Sequence, residues 1–263
     1  MPLPSSFRLR QGAMEGSSMN QHDADVRIIL RIPGNWSHPA ALLERVPDGV
    51  ELTPEGLVLP DGTELEWMPL LPDDQFPGIF RSACRADALE EELEVLDSYS
   101  VNIALTGPGG SLASAAAMLR AGAAIIQAGG AGVFIDNSGV AHGGQDWLEM
   151  ADDGGSDAIS YAFVNIIRGQ SELWTMGMHV LGLPDLAMTS LDHPADTDTM
   201  IEVIRYLCEA DRPIGDGHVL ADEDGARFRV VSSTGHVFEP GSPMHNPWGR
   251  FQLVSMKEIA ESN

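Results

Sequence analysis

The stretch that decides the fold runs from Tyr99 to Trp147 and reads YSVNIALTGPGGSLASAAAMLRAGAAIIQAGGAGVFIDNSGVAHGGQDW. An apolar run ends in a turn rich in glycine and proline, a long alanine-rich segment follows, and a second apolar run ends in Asp-Asn-Ser-Gly. Short apolar runs bounded by turn residues are typical of strands, and a longer alanine-rich segment is typical of a helix. The order therefore predicts a β-α-β unit whose helix runs from Ser111 to about Ala128.

Hairpin patterns surround this unit. The further predicted elements are strands at 26–32 and 250–256, hairpins within 57–68, 161–183 and 218–231, helices at 38–46, 86–97 and 197–210, a surface linker at 70–80 and a loop at 151–158. Because hairpins outnumber the single β-α-β unit, the sequence predicts the α+β class. We expect a mixed, mainly antiparallel sheet with helices packed on one face and the elements of a ferredoxin-like core.

The chain divides by composition into three predicted parts. Residues 1–24 mix Pro, Ser, Gly, Gln and His without an apolar run, which predicts a flexible N-terminal arm rather than a secretory signal. Residues 25–80 form a β-α-hairpin unit, and residues 81–263 form the main α+β domain. One continuous domain over 25–263 is the alternative.

The charge balance is the strongest compositional feature. The chain has 39 acidic residues against 15 basic ones, for a formal net charge of -24. Such a field repels nucleic acid and anionic membranes and attracts basic proteins. The apolar stretch 112–135 is interrupted by Arg120, Gln127 and a glycine pair, so a buried helix explains it better than a membrane span. We expect no nucleic-acid or membrane partner.

The glycine-rich turn Thr106-Gly-Pro-Gly-Gly-Ser111 lies where phosphate loops lie, between a strand and a helix. A phosphate loop of the GxxxxGK[ST] type requires a lysine that is missing here, and the GxGxxG spacing is missing too. A tight turn and helix start is the favoured interpretation.

The densest group of polar side chains follows the second strand of the unit. Strand ends of β-α-β units are common ligand positions because donors converge there. An Asp and a His can act as base and orienter, and a Ser as nucleophile. The candidate ligand-binding residues are Asp136, Asn137, Ser138, His142, His179 and Asp185. An ordinary turn and a buried histidine within a strand over 173–183 are the structural alternatives.

No metal or cofactor is predicted. His142, His179 and Asp185 lack any spacing typical of metal ligands, and the chain has no CxxC motif. The two cysteines, Cys84 and Cys208, are far apart in sequence, which favours a reducing compartment and a cytoplasmic protein.

The C-terminal third carries a resemblance. Gly177-Met178-His179, Leu181-Gly182-Leu183-Pro184-Asp185 and the hairpin around Asp224-Gly225 resemble a bacterial family of unknown function, number 4261 in the domain-of-unknown-function series. The resemblance implies a bacterial, cytoplasmic protein and brings no activity, cofactor or catalytic residue.

Three functions remain open. The favoured hypothesis is a non-enzymatic acidic interaction module that binds a basic protein partner. The alternative is a small-molecule-binding protein or hydrolase with its site around Asp136–His142 and His179. A third is a self-associating domain, for example a homodimer, with the alanine-rich helix or strand 225–231 at the interface. The sequence does not decide whether the protein is an enzyme.

Overall fold

The computed structural model describes residues 8–10, 26–38, 40–189, 193–209, 214–233 and 238–261. Its strands are β1 (Arg8–Arg10), β2 (Arg27–Gly34), β3 (Glu51–Leu52), β4 (Leu57–Val58), β5 (Glu64–Leu70), β6 (Val101–Pro108), β7 (Gly132–Ile135), β8 (Val140–Gly143), β9 (Asn165–Arg168), β10 (Glu172–Met176), β11 (Asp185–Thr189), β12 (Val219–Asp222), β13 (Gly225–Ser233) and β14 (Arg250–Ser255). Its helices are α1 (Ala40–Leu43), α2 (Phe76–Ala83), α3 (Glu90–Ser98), α4 (Leu112–Gln127), α5 (Gly144–Asp153), α6 (Ser156–Phe163), α7 (His193–Glu209) and α8 (Met256–Glu261), with a 3₁₀ helix at Met178–Leu181.

The strands form two seven-stranded sheets, of orders β3-β4-β5-β6-β2-β7-β8 and β1-β12-β13-β14-β11-β10-β9. Among the named strands, the pair β11–β14 is parallel and the other pairs are antiparallel. The predicted α+β class with mainly antiparallel pairing is therefore confirmed, although the strands divide between two sheets. None of the described helices is both long and apolar enough to cross a membrane.

The unit predicted from the opening stretch is present in a split form. β6, α4 and β7 follow each other in the chain, but β2 lies between the two strands and pairs antiparallel with both. Burial along β2 alternates as its sequence predicts, because Ile28, Leu30 and Ile32 are fully buried. A ferredoxin-like core stays a prediction.

Strands from both predicted parts of the chain share one sheet. β6 pairs with β2 on one side and with β5 on the other, across the boundary proposed at residue 80. This sharing favours the alternative of one continuous domain over 25–263. Within the predicted arm, Arg8–Arg10 form a strand on β12, and the other residues of 1–24 lie outside the described residues.

Helix α4 is the centre of the core. Ser111 caps it by accepting a hydrogen bond from the Ser114 amide at 3.0 Å, as its position after the glycine turn predicts. Gly122 faces Trp147, and a Cβ at this glycine would lie 2.7 Å from the indole nitrogen. The small residues of α4 therefore serve close packing inside the molecule.

The two surfaces suggested for self-association differ in exposure. The alanine-rich α4 is mostly buried and contacts β2, β6, α5 and α6. Strand β13, which contains residues 225–231, has both edges paired, with β12 and β14, but Arg227, Arg229 and Val231 are exposed on its face. Self-association as a homodimer stays a prediction.

Two segments predicted as irregular contain helices. The linker prediction for 70–80 is wrong from Phe76 onward, where α2 begins with Pro77 in its first turn. Proline is favoured at this position because its missing amide has no helical acceptor. The loop prediction for 151–158 is wrong as well: Gly154, with φ +60°, ends α5, and Gly155 is the N-cap of α6.

The predicted strand 173–183 ends at Met176. Gly177 has φ +97° and Gly182 has φ +80°, and the 3₁₀ helix lies between these two left-handed residues. A strand cannot continue through such backbone angles. The placement of His179 on a strand face with Thr175 and Leu181 is therefore wrong.

Candidate functional site

The turn between β7 and β8 places Asn137 at a junction of three segments. Its side-chain oxygen accepts from the Ile29 amide at 2.9 Å, and its amide nitrogen donates to the Arg27 carbonyl at 2.9 Å and the Pro243 carbonyl at 3.0 Å. Asn137 thus pairs with backbone groups of β2 and ties the C-terminal segment to them. All three bonds are to main-chain groups, which need hydrogen-bond partners when they are buried.

His179 comes next to Asn137. Its Nε2 lies 2.9 Å from the Pro243 carbonyl oxygen and 3.3 Å from the Asn137 amide nitrogen. Burial lowers the pKa of His179 to about 4, against a raising effect of the Pro243 hydrogen bond and a further lowering by His245. The imidazole is therefore neutral at pH 7, with Nε2–H donating to Pro243. Its Nδ1 is buried without a hydrogen-bond partner among the described residues.

Asp185 lies at the start of β11, below the same C-terminal segment. Its Oδ1 accepts from the Thr175 hydroxyl at 3.2 Å and the Met178 amide at 3.3 Å, and its Oδ2 accepts from the Asn246 amide nitrogen at 3.0 Å. Burial raises the pKa of Asp185 to about 6, and these hydrogen bonds together with the charge of Arg250 oppose the rise. The carboxylate holds the 3₁₀ helix and the C-terminal segment in place.

Ser138 is enclosed. Its side chain is fully buried, and its hydroxyl has no hydrogen-bond partner among the described residues. A Cβ at Gly177 would lie only 2.8 Å from the Ser138 Cβ, so the two backbones approach closely. A nucleophile needs a base within hydrogen-bond reach and access to a substrate, and Ser138 has neither here.

His142 bonds to a different part of the molecule. Its Nδ1 lies 2.8 Å from the Asp146 carboxylate, and its Nε2 lies 3.0 Å from the Ala162 carbonyl oxygen. Arg85 donates to the neighbouring carbonyls of Tyr161 and Val164. These two side chains satisfy carbonyls at the C-terminal end of α6, which is a structural use of donors at a helix end.

Asp136 is the one candidate that faces outward. Its Oδ2 accepts from Arg31 through Nε at 2.9 Å and through the terminal nitrogen at 2.8 Å, across the β2–β7 pair. Both side chains are partly exposed. Surface ion pairs of this kind contribute little to stability.

Hydrogen bonds therefore join some of the candidates and leave others with different partners. Asn137 contacts His179, and Asp185 holds the amide next to His179. His142 bonds to Asp146 and to the Ala162 carbonyl, whereas His179 bonds to the Pro243 carbonyl and contacts Asn137. The two histidines share none of these partners. Sequence reasoning did not predict that residues 242–248 supply hydrogen-bond partners to this cluster, through the Pro243 carbonyl and the Asn246 amide. The available signal was the Pro-bounded turn Pro243-Met-His-Asn-Pro-Trp248.

Two amides of the glycine-rich turn, those of Gly109 and Gly110, are already hydrogen-bonded. Gly109 N–H donates to the Val26 carbonyl at 2.8 Å, and Gly110 N–H donates to the Val180 carbonyl at 2.9 Å. A bound anion would need such amides unpaired. This geometry supports the interpretation as a tight turn.

The cysteines are free thiols in the structure. Burial raises the pKa of Cys84 to about 11 and that of Cys208 to about 12, with further raising by nearby carboxylates. Both therefore remain protonated at pH 7, unlike reactive cysteines. The described residues contain no group of three or more His, Cys, Asp or Glu side chains placed to hold a metal ion.

A different surface carries exposed charge. We define the acidic face as Leu71 to Ser98, the segment that contains α2 and α3. Its exposed acidic residues are Asp73, Asp74, Asp87, Glu90, Glu91, Glu94 and Asp97. Its exposed large apolar residues are Leu71 (89% exposed), Leu89 (50%) and Ile79 (45%). The opposite side of α3 rests on the protein through the buried Leu96.

One acid in this face has a structural role. The Glu92 carboxylate accepts from the Leu89 amide at 2.9 Å and from the Gln145 amide at 2.7 Å. It therefore caps the first turns of α3 and α5 together, where negative charge is stabilising. Of the other acids of α3, Asp97 pairs with Arg81 at 2.6 Å, and Glu90, Glu91 and Glu94 are exposed.

No protein-family model matches the chain, and no match was found among curated proteins or solved structures. The resemblance to family 4261 of the domain-of-unknown-function series stays a prediction.

Proposed function

We propose that this protein is a non-enzymatic acidic interaction module that binds a basic protein partner through the acidic face. The observation that carries the proposal is the pairing of exposed carboxylates with large exposed apolar side chains in one segment. Charge complementarity speeds encounter and selects the partner, whereas apolar anchors supply affinity once water is excluded. A chain with a net charge of -24 favours cationic partners over others.

The burial of the alternative ligand-binding or hydrolase site, around Asn137 and His179, also favours an interaction module over an enzyme. Asn137, Ser138 and His179 are almost fully buried, and the hydrogen bonds of Asn137 and His179 run to the chain's own groups. Catalytic groups work by contacting a substrate that can reach them. As part of the same proposal, we place the protein in the cytoplasm of a bacterial cell. This reducing compartment is consistent with two free cysteines.

The test compares two triple variants of equal charge. Glu90→Gln/Glu91→Gln/Glu94→Gln removes three charges from α3, and Glu51→Gln/Glu55→Gln/Glu64→Gln removes three exposed charges from β3 to β5. A cationic partner is first identified by affinity capture in about 50 mM salt, and its Kd is then measured by calorimetry over a range of salt concentrations.

We expect the α3 variant to weaken binding by roughly tenfold or more and the control by less than about twofold, because only the first set lies in the interface. Leu89→Ser should weaken binding at every salt concentration. The proposal fails if no cationic partner is captured, if its affinity ignores salt, or if both triple variants lose affinity equally.

A further inference from the structure

The second sheet, of order β1-β12-β13-β14-β11-β10-β9, has two different faces. Along β10, and through the middle of β13 and β14, buried side chains alternate with more exposed ones. The buried set includes Leu173, Val230 and Leu253, which belong to the hydrophobic core. The side chains between them point to the opposite side of the sheet, which we call the outer face.

One cross-strand row runs across the outer face. Residues that pair in neighbouring strands lie on the same face, so the register extends the row from strand to strand. Its members, one each from β9, β10, β11, β14 and β13, are Ile167, Trp174, Ala187, Gln252 and Val231. We call these residues the central row, which is apolar except for the glutamine.

The large apolar side chains of the central row do not serve the core. Ile167, Trp174 and Val231 neither belong to the hydrophobic core of the described residues nor pack against it. Ile167 and Trp174 are half-buried, and Val231 is 37% exposed. Single apolar residues are normal on a protein surface, whereas a row of them on one face marks an interaction site.

A second row on the outer face carries opposite charges at its two sides. Glu172 of β10 pairs with Thr189 of β11, and Arg229 of β13 pairs with Val254 of β14. Thr189 and Val254 continue the parallel β11–β14 register by one position, so the four residues form one row. Glu172 and Arg229 lie three strand spacings apart, about 14 Å, which is too far for an ion pair within one chain.

The outer face is complementary to itself under two-fold symmetry. An axis parallel to the strands and midway between β11 and β14 places β10 of one copy over β13 of the other. Glu172 then faces the partner's Arg229, and Trp174 faces the partner's Val231. Each of these contacts forms twice, because a two-fold interface repeats every pair. Sheets commonly pack face to face in this aligned manner, about 10 Å apart.

The size of the face is suited to a weak dimer. Five strands about 4.8 Å apart and four to six residues long cover roughly 400 Å² on each copy. With the relief of the side chains, two copies bury on the order of 1,000 Å², near the lower limit for a specific interface. Helix α8 begins after Ser255 and contacts β13 and β14, so we end the interface at the charged row. Repulsion between two copies of net charge -24 opposes association, but at 150 mM salt it is screened beyond about 8 Å.

We propose that the outer face of the second sheet is the interface of a homodimer. The central rows of two copies supply the apolar contact, and the two Glu172–Arg229 pairs fix the relative orientation of the copies. The small area predicts a Kd on the order of micromolar. The acidic face lies elsewhere, because its helices α2 and α3 contact β8 and β2 of the first sheet. The two surfaces can therefore be tested separately.

A charge exchange tests the two-fold arrangement. Sedimentation velocity of the full chain between about 1 and 200 µM, in about 150 mM salt, measures the dimer Kd. Glu172→Arg and Arg229→Glu should each weaken the dimer by about fivefold or more, because each places like charges face to face. The double variant Glu172→Arg/Arg229→Glu restores opposite charges, so its Kd should return to within about twofold of that of the unaltered chain.

An apolar-to-charged substitution tests the central row. Val231→Glu buries a carboxylate against the partner's Trp174 and should weaken the dimer by about tenfold or more. Met68→Glu is the matched control, because Met68 is 57% exposed on β5 of the first sheet. The control should change the Kd by less than about twofold. Circular dichroism establishes that each variant is folded, and the charge exchange decides the matter should Val231→Glu fail to fold.

Three results would overturn the proposal. The first is a chain that stays monomeric up to about 200 µM, which would leave the outer face to a different kind of partner. The second is a double charge variant that dimerises no better than the two single variants. The third is an equal loss of affinity in Val231→Glu and Met68→Glu. The α3 triple variant should dimerise like the unaltered chain, and Val231→Glu should still bind the cationic partner, so failure of one surface is distinguishable from failure of the other.

Discussion

Replacing His179 by glutamine should alter the acid sensitivity of the fold in a predictable direction. The native pKa of His179 is about 4 because the ring is buried, whereas an exposed histidine titrates at 6.5. Above pH 6.5 both the folded and unfolded states hold a neutral ring. As the pH falls below 6.5, the histidine becomes protonated in the unfolded state but stays neutral in the folded state until the pH approaches 4. The free energy of unfolding therefore decreases.

The size of this effect follows from the two pKa values. From linkage, His179 lowers the free energy of unfolding by about 2 kcal/mol at pH 5 and by about 3 kcal/mol at pH 4. Glutamine retains an amide donor for the Pro243 carbonyl and does not titrate. The free energy of unfolding of the variant minus that of the unaltered protein should therefore rise by about these amounts as the pH falls from 7, whatever its value at pH 7.

Asp185 acts in the opposite direction. Its native pKa of about 6 lies above the ordinary 3.8, so the folded state binds its proton more tightly and gains stability as the pH falls through 6. This gain is about 1 kcal/mol between pH 7 and pH 5 and partly masks the histidine in the unaltered chain. Comparing the variant with the unaltered protein cancels this and every other shared titration.

Urea unfolding at several pH values between 7 and 4, followed by circular dichroism, measures the difference. A constant offset between the two proteins, independent of pH, would refute the assignment of His179 as a buried neutral ring. If the free energy of unfolding of the variant minus that of the unaltered protein instead falls as the pH is lowered, the native fold prefers the charged form of His179.

Two further predictions concern stability and use urea unfolding at pH 7. Gly177→Ala should cost several kcal/mol, because φ is +97° and the added Cβ would lie 2.3 Å from the Phe163 carbonyl oxygen, whereas Gly217→Ala, with φ +77° and open space, should cost only about 1 kcal/mol. Equal losses would contradict the packing argument. Arg85→Met should cost about 2–3 kcal/mol by leaving carbonyls at the end of α6 unpaired, and Arg81→Met, which breaks an exposed ion pair, less than about 1 kcal/mol. A larger loss at Arg81 would argue against this role of Arg85.

The acid-sensitive cluster also shows why the candidate site could only partly be predicted. The sequence marked Asn137, His179 and Asp185 as polar residues within apolar surroundings, and the structure does bring them to neighbouring positions. The sequence could not show that the Pro243 carbonyl accepts a hydrogen bond from His179 or that Asn246 donates one to Asp185. Those partners are 64 residues from His179 and 61 residues from Asp185, and no local pattern reports such a separation.

The sequence by itself determined the elements whose signals are local. Alternation determined β2, the serine cap and small residues determined α4, and turn residues determined the hairpins, because side-chain period and backbone preference act within a few residues. The tertiary structure decided the division into two sheets, the insertion of β2 between β6 and β7, and the different hydrogen-bond partners of His142 and His179. These depend on contacts between residues far apart in the chain, where packing and hydrogen-bond satisfaction in the assembled core, rather than local preference, select the arrangement.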